Sequence, residues 1–387
     1  MFSNIVDKIS WDSVSDCICS QTANDVSRAL SAVRAGEYLT VEHLKALVSP
    51  AAAGFIEEMA LLSQQITQRR FGKTIQFYIP LYLSNECTNH CVYCGFNRNN
   101  KIVRKTLSDK EILSEARVLK EMGYEHILLL TGESPVHVGV DYIENAMRLL
   151  QPHFAQLSLE VMPLDVSDYV RLRSCGLHAV YVYQETYNKN RYGIYHPAGR
   201  KRDYSWRVDT QDRLGIAEVH KIGLGALLGL ENPRTEMVFI GKHLRYLQKK
   251  YWKSKYALAF PRMCPHADPA VAAASCGGAV TGFTPQYTID DKLFVQIILA
   301  MRLFDSDVEI SLTTRESPAF RNAMIPLGIT SLSAGSHTEP GGYSKQSDEL
   351  PQFDTNDNRS VSELAASVRT AGYEVVMKDW TDFDYNV

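Results

Sequence analysis

Three closely spaced cysteines are the residues of this chain best suited to do chemistry. Cys87, Cys91 and Cys94 have the spacing C-x3-C-x2-C within the short stretch 85–97. This stretch follows an apolar run, 78–83, which we interpret as a buried strand. Thiolates bind metals, but a closed structural zinc site takes four nitrogen or sulfur ligands. Three cysteines on one loop therefore favour a cubane iron–sulfur cluster whose fourth iron is left for a ligand from outside the protein.

Other uses of the cysteine loop stay open on the spacing alone. The thiols could form a zinc knuckle or a redox-active cluster. The remaining cysteines are scattered along the chain, at Cys17, Cys19, Cys175, Cys264 and Cys276. Eight cysteines with this distribution fit a reducing compartment better than a disulfide scaffold. We interpret Cys17 and Cys19 as ordinary side chains of an N-terminal helix.

The composition points to a small substrate and a cytoplasmic protein. The net charge is −3, with basic and acidic residues mixed, so neither a nucleic-acid-binding face nor an acidic tail is indicated. No window approaches 18 uninterrupted apolar residues, and the N-terminus lacks the layout of a secretory signal. We therefore expect no nucleic-acid partner and no membrane association.

Strand-like runs alternate with helical patterns from Thr74 onward, which is typical of a parallel sheet built from βα units. We predict eight strands, at 78–84, 126–132, 157–164, 179–186, 225–231, 256–263, 308–315 and 329–334. Eight such units predict a (β/α)8 barrel of the TIM type.

Two further segments flank the predicted barrel. Residues 1–73 carry helical patterns at 24–34, 41–47 and 51–70, and we interpret them as a helical cap on one end of the barrel. The barrel itself is assigned to 74–336. The last segment, 337–387, opens with a glycine turn, and we expect it to pack near the barrel mouth.

A barrel of this kind builds its active site at the carboxyl ends of its strands. Polar residues collect at those positions in the sequence. They are Gly132 and Glu133 at the end of the second strand, Glu160 on the third, Gln184 and Glu185 on the fourth, Arg262 on the sixth, Arg315 on the seventh and Ser333 on the eighth. Charged side chains are costly to bury alone, so this gathering indicates either a ligand site or mutual ion pairing.

The cysteine loop, with Tyr93 before its last cysteine, resembles the signature loop of the radical S-adenosylmethionine (SAM) enzymes. Further stretches resemble the aromatic-amino-acid lyase branch of that family, and the likeness covers nearly the whole chain. They are 94–96, 104–107, 184–188, 223–230, 314–318, 333–336, 340–342 and 378–380. The resemblance implies a 4Fe-4S cluster and SAM, which the reduced cluster cleaves to methionine and a 5′-deoxyadenosyl radical.

The same resemblance implies roles for individual residues. Cys87, Cys91 and Cys94 would hold the cluster and leave one iron open for SAM. The SAM-binding residues would be Tyr93, Gly132, Glu133, Glu160, Glu185 and Arg213. The substrate residues would be Arg315, Gln184, Arg262 and Ser333, with Arg321 as a rival for the substrate carboxylate. The chain departs from the family at Thr131, where a glycine is usual, and at Cys264, where an arginine is frequent.

The implied reaction is cleavage of the Cα–Cβ bond of L-tyrosine to 2-iminoacetate (dehydroglycine) and p-cresol, for thiazole formation in thiamine biosynthesis. No catalytic residue beyond the SAM-derived radical is implied. Thiazole synthase would be the protein partner, and a reduced flavodoxin or ferredoxin-type protein would be the electron donor.

Three alternatives remain. One is the tyrosine lyase of hydrogenase maturation, whose C-terminal extension carries cysteines for a second cluster, whereas no cysteine follows Cys276 here. Another is a lyase for tryptophan or another aromatic amino acid. The third is a non-enzymatic iron–sulfur or zinc scaffold, which leaves the polar strand ends unexplained.

Overall fold

Eight parallel strands close into a barrel, which confirms the predicted fold class. The computed structural model describes residues 1–263, 283–344, 352–353 and 355–379. The strands are β1 Thr74–Ser84, β2 His126–Thr131, β3 Gln156–Glu160, β4 Leu177–Tyr181, β5 Lys221–Gly225, β6 Lys255–Ala259, β7 Glu309–Leu312 and β8 Ser331–Ser333. Each pairs with the next in chain order, and β1 pairs with both β8 and β2, which closes the ring.

Helices surround the barrel and precede it. They are α1 Ser3–Val6, α2 Trp11–Cys19, α3 Ala23–Arg34, α4 Val41–Val48, α5 Ile56–Phe71, α6 Asp109–Glu121, α7 Val140–Leu150, α8 Val166–Arg173, α9 Lys189–Tyr195, α10 Tyr204–Val208, α11 Thr210–Ile216, α12 Pro233–Lys250, α13 Asp291–Phe304, α14 Pro318–Met324 and α15 Val361–Thr370. Short 3-10 turns lie at Pro50–Phe55, Arg200–Arg202 and Ile325–Leu327.

The N-terminal helices pack on the outside of the barrel, where α4 contacts α12 and α13 and α5 contacts α13. Phe2 anchors the start of the chain, because its buried ring stacks on His243 at 3.9 Å and its backbone N–H donates to Asp212. Among the described residues no single helix is long and apolar enough to span a membrane, although the bent pair Val41–Val48 and Pro50–Phe71 passes by length and composition.

The predicted position of the fifth strand, 225–231, is wrong, because the strand is Lys221–Gly225. Glycine is rare in strands, so the run around Gly223 gave little strand signal. The barrel needs glycine here for a steric reason. A Cβ on Gly223 would overlap the ring of Tyr181, and one on Gly225 would overlap the ring of Tyr183. The glycines thus make room for tyrosines from the neighbouring β4 segment.

A ninth strand, β9 Glu374–Val376, was not predicted. It pairs in parallel with the first three residues of β1, Thr74–Gln76, and so lies at the amino end of the barrel. Just beyond it, the backbone N–H of Asp379 donates to Nε2 of the buried His126, the first residue of β2, at 3.0 Å. The C-terminal segment therefore contacts the barrel at the end opposite the cysteine loop as well as at the mouth.

Candidate active site

A cavity of about 190 Å³ opens at the carboxyl ends of the strands. The three cysteines of the loop after β1 line one side of it, and Tyr93 lies between them. Tyr78, Tyr82, Tyr181 and Tyr183 form its inner wall. Burial raises the pKa of each of these four phenols, so they remain protonated.

Gly132 allows the cysteine loop to approach β2 closely. A Cβ at this position would overlap the backbone oxygen of Glu86 and lie 3.1 Å from Cβ of Cys87. The loop is tied down from the same strand end, because Thr88 donates to the backbone oxygen of Glu133 through both its N–H, at 3.0 Å, and its hydroxyl, at 2.9 Å. The residue after β2 therefore fixes where the first cysteine stands.

The three cysteines are held as thiols while no metal is bound. Burial raises the pKa of Cys87 to about 11 and also raises the pKa values of Cys91 and Cys94. In the described part of the chain no three His, Cys, Asp or Glu side chains surround a point suited to a single metal ion. In a four-iron cluster each cysteine binds a different iron, so the three sulfurs need not converge on one point.

A buried ion-pair network faces the cysteines. Arg207 Nη1 donates to Glu133 at 2.7 Å, and its Nε donates to the backbone oxygen of Tyr183 at 2.7 Å. Lys201 lies 2.7 Å from Glu185. Burial acts to raise the pKa of Glu133, but Arg207 and Lys201 hold it below its ordinary value. The network therefore keeps the Glu133 carboxylate charged at the cavity wall.

The loop after β4 is shaped to bring Glu185 to that network. Glu185 has a φ of +68°, a left-handed conformation that non-glycine residues rarely adopt. Buried Glu236 on α12 supports the next residues, since it accepts hydrogen bonds from the Thr186 hydroxyl at 2.5 Å and from the Tyr187 N–H at 2.9 Å. These contacts hold a strained backbone at the edge of the cavity.

Several polar groups face the cavity without a hydrogen-bond partner among the described residues. They include the Glu160 carboxylate, the Arg315 guanidinium and the hydroxyls of Thr131 and Ser336. Burial raises the pKa of Glu160 to about 7, and the nearby Glu185 carboxylate adds to the rise. Because buried polar groups are nearly always satisfied, these groups indicate where a ligand makes its contacts.

Two residues of the C-terminal segment complete the wall. The Tyr82 hydroxyl donates to Oε1 of Gln352 at 2.7 Å, and Nε2 of Gln352 lies 3.8 Å from Sγ of Cys94. The guanidinium of Arg315 lies 3.5 Å from the centre of the Phe353 ring. The segment thus contacts both the cysteine side and the Arg315 side of the cavity.

Several residues predicted for the site lie away from the cavity. Gln184 is buried behind β4 with both side-chain polar atoms unsatisfied. Arg213 stacks on Trp206 and donates to backbone oxygens, and Arg262 is paired with Glu316 and Asp291.

The remaining predicted residues divide between the cavity and the structure around it. Arg321 pairs with Asp357, whereas Ser333 lines the cavity. The positions of Cys264 and Trp380 lie outside the described residues.

Arg207 and Lys201 were missed by sequence reasoning. They lie neither on nor directly after a strand, but in the long connection between β4 and β5 that contains α9 and α10. The signal was the basic run 200–202 in a connection that returns to the mouth. A Cβ on Gly199, just before this run, would overlap Asn89, so the connection packs directly on the cysteine loop.

Comparison with known proteins agrees with this geometry. Residues 81–237 match the Radical SAM superfamily, and residues 259–374 match the Biotin and Thiamin Synthesis associated domain. The chain is 44% identical to 2-iminoacetate synthase of Escherichia coli (strain K12) over 99% of this chain and 97% of that protein. It is 43% identical to 2-iminoacetate synthase of Salmonella typhimurium over 96% and 95% of the two chains.

Among solved structures, the FeFe-hydrogenase maturase HydG from Carboxydothermus hydrogenoformans has a TM-score of 0.87 and 27% identity, over 98% of this chain and 86% of that one. The two matches to 2-iminoacetate synthases cover nearly the whole chain at 43–44% identity, and they show the family to which it belongs. The chain therefore belongs to the 2-iminoacetate synthase family of radical SAM enzymes.

Proposed function

We propose that this protein is a carbon–carbon lyase that cleaves the Cα–Cβ bond of L-tyrosine to 2-iminoacetate and p-cresol, for thiazole formation in thiamine biosynthesis. The observation that carries the proposal is a single cavity with three thiols on one wall and an arginine without a carboxylate partner on the other. The near full-length similarity to 2-iminoacetate synthases supports the substrate assignment.

The family implies a 4Fe-4S cluster and SAM, and the residues present fit both. We propose that Cys87, Cys91 and Cys94 bind the cluster, since all three thiols face the cavity. SAM would be held by Gly132, Thr131 and Glu160, which face the same space. When bound, the cluster and SAM supply the 5′-deoxyadenosyl radical that starts the cleavage.

The ion-pair network would position SAM from the opposite wall. Glu133 and Glu185 are held in place by Arg207 and Lys201, so their orientation is fixed before a ligand arrives. Such preorganisation spares the cost of ordering these side chains on binding. Arg213 supports this wall from behind by donating to the backbone oxygen of Trp206.

Arg315 is the proposed partner of the substrate carboxylate. A planar guanidinium binds a carboxylate through two parallel hydrogen bonds and so orients it. Phe353 fixes the plane of the guanidinium without using its N–H groups. Arg262 and Arg321 are less suitable, because their guanidinium groups are already paired with protein carboxylates. Ser333 remains a proposed contact of the substrate.

The proposed protein partners are thiazole synthase, which would take the 2-iminoacetate, and a reduced flavodoxin or ferredoxin-type electron donor. A basic surface beside the cysteine loop is consistent with an acidic electron-donor protein. Its exposed residues are Arg98 and Lys101 from one segment and Arg200 and Arg202 from another. The two segments meet at Asn89, which accepts hydrogen bonds from the backbone N–H groups of Arg98 and Lys201, both at 3.0 Å. We propose that the protein acts in the cytoplasm.

The proposal is tested by anaerobic incubation of the reconstituted protein with SAM, dithionite and each aromatic amino acid. We expect 5′-deoxyadenosine, p-cresol and glyoxylate, the hydrolysis product of 2-iminoacetate, in matched amounts from tyrosine. Cys91→Ala should abolish all three products while the barrel stays folded, because Cys91 lies in a loop outside the barrel strands. The exposed Cys19→Ala is the matched control. Unchanged 5′-deoxyadenosine formation by Cys91→Ala would refute the cluster assignment.

The second candidate is the hydrogenase-maturation tyrosine lyase, favoured by the structural similarity to HydG. It differs in its final products, carbon monoxide and cyanide. A deoxyhaemoglobin trap added to the same incubation decides between them. Carbon monoxide in proportion to p-cresol would promote this second candidate.

A further inference from the structure

The Gln352 side chain lies between the inner wall of the cavity and the cysteine loop. Its Oε1 accepts a hydrogen bond from Tyr82 at 2.7 Å, and its Nε2 lies 3.8 Å from the Cys94 sulfur, within the range of an N–H···S hydrogen bond. Gln352 and Phe353 are the described residues of a stretch that no family motif assigned to the site. The contact with sulfur is the feature that ordinary wall packing leaves unexplained.

The orientation of the amide follows from the chemistry of its two neighbours. A cysteine sulfur bound to iron carries no proton, so it can only accept a hydrogen bond. The amide must then turn its N–H₂ group toward Cys94. The Tyr82 phenol stays protonated in this site and donates to the amide oxygen. Both ends of the amide are therefore fixed once the sulfur binds a metal.

The backbone around Gln352 is anchored on two sides. Its N–H donates to the Thr338 oxygen at 3.0 Å, and the Thr338 hydroxyl donates to the Phe353 oxygen at 2.9 Å. Further along, the N–H of Asn356 donates to the Thr314 oxygen after β7 at 2.8 Å. The amide is thus presented to the sulfur from loops that follow two barrel strands.

We propose that Gln352 is a positioning residue that donates a hydrogen bond to the cluster-binding sulfur of Cys94 and thereby raises the reduction potential of the cluster. The inference rests on the proposed function, because it requires the cluster. The physical reason is electrostatic. Reduction adds one electron, supplied by an external low-potential donor, and an N–H directed at the sulfur stabilises the more negative reduced cluster.

The test is a redox titration of the reconstituted full-length protein with dithionite, followed by electron paramagnetic resonance of the reduced cluster. Gln352→Leu keeps a similar volume but cannot donate. We expect the ratio of reduced to oxidised cluster at a fixed potential to fall about tenfold, which corresponds to about 59 mV for one electron. Tyr82→Phe removes the group that orients the amide and should shift the ratio in the same direction by less.

Gln65→Leu is the matched control, because it is the same substitution at an exposed position of α5, away from the cavity. Its ratio should stay at the parent value, with iron content equal in all variants. A Gln352→Leu protein with the parent potential would overturn the inference, as would an equal shift in Gln65→Leu. If the parent itself binds no cluster, the proposed function fails; if it cleaves SAM but Gln352→Leu has no effect, only this inference fails.

Discussion

Arg315 is stabilised by an aromatic ring, and this leaves its hydrogen-bonding groups for a ligand. Its guanidinium lies over Phe353, whereas Arg262 uses its N–H groups on Glu316 and Asp291. A cation over a ring face is held by about 0.5–2 kcal/mol without consuming any N–H. The N–H groups of Arg315 can therefore bind a ligand, whereas those of Arg262 are already used. The sequence does not show this difference, because it depends on which residues surround each arginine.

We predict that Arg315→Lys keeps the charge but loses the two-pronged grip on the substrate carboxylate. Loss of one charge-assisted hydrogen bond of about 1.5–3 kcal/mol lowers kcat/KM for tyrosine roughly ten- to a hundredfold. SAM cleavage without tyrosine should change little, and exposed Arg117→Lys should change neither activity. Steady-state assays of p-cresol and 5′-deoxyadenosine measure both. An equal loss of the two activities would place Arg315 at SAM or in the structure.

The sequence predicts the direction of some side chains in the site but not of others. Alternation along a strand places neighbours on opposite faces, so the predicted fourth strand, 179–186, already puts Gln184 and Glu185 on opposite faces. The structure indeed buries Gln184 behind β4. The sequence could not show that Arg213 donates to backbone oxygens, because one of them belongs to Leu164, which is far away in the sequence.

At the scale of elements, the cysteine loop depends on the end of β2. Gly132 leaves the space that the loop occupies beside Glu86 and Cys87. The resemblance to the radical SAM enzymes predicts two adjacent glycines here, and this chain has only the second, with Thr131 in place of the first. The retained glycine is the one for which a steric reason exists.

Gly132→Ala should displace the cysteine loop, because its added Cβ overlaps the Glu86 backbone, which cannot rotate away as a side chain could. We expect a severalfold loss of bound iron after reconstitution and a lower melting temperature. Gly193→Ala on α9 is the matched control, since its Cβ meets nothing within 4 Å. It should be neutral or stabilising by about 0.5–1 kcal/mol. Full iron content in Gly132→Ala would refute this role.

Seven of the eight barrel strands were predicted close to their observed positions, because apolar runs between helical patterns mark buried parallel strands. The predicted position of the fifth strand was wrong, because this strand packs closely against Tyr181 and Tyr183 and therefore contains glycines instead of residues typical of strands. β9 was not predicted for another reason. It pairs with only three residues of β1 and is partly exposed, so its sequence has almost no apolar pattern.

At the scale of the whole molecule, His126 connects the C-terminal segment to the barrel, and its imidazole ring must be neutral to accept this hydrogen bond. Its Nε2 accepts from the Asp379 N–H, so the proton of the neutral ring lies on Nδ1. The Gln76 side-chain amide, 2.9 Å from Nδ1, must then turn its oxygen toward this N–H to accept the hydrogen bond. Burial, with a contribution from Lys221, lowers the pKa of His126 to about 4. Protonation would direct a second N–H at the Asp379 amide and break the contact.

We predict that the cluster-free protein loses stability through this residue as the pH falls. An unfolded histidine has a pKa of about 6.5, so between pH 6.5 and 4 the unfolded chain binds a proton that the folded chain does not. The loss is on the order of 3 kcal/mol by pH 4. Urea unfolding at pH 7 and at pH 4.5 should show a smaller loss for His126→Gln than for the parent. Parallel pH profiles would contradict the prediction.

The site is completed late during synthesis on the ribosome, because Gln352 and β9, the strand that pairs with β1, lie far along the chain from the cysteine loop. The cysteine loop is synthesised early, but Gln352 emerges 258 residues after Cys94 (352 − 94), which takes roughly 13–50 s at about 5–20 residues per second. Until then neither the amide wall nor the C-terminal strand exists, and the three thiols are open to oxidants. The yield of intact sites in a cell should therefore depend on oxygen during translation, and not only on oxygen during later handling.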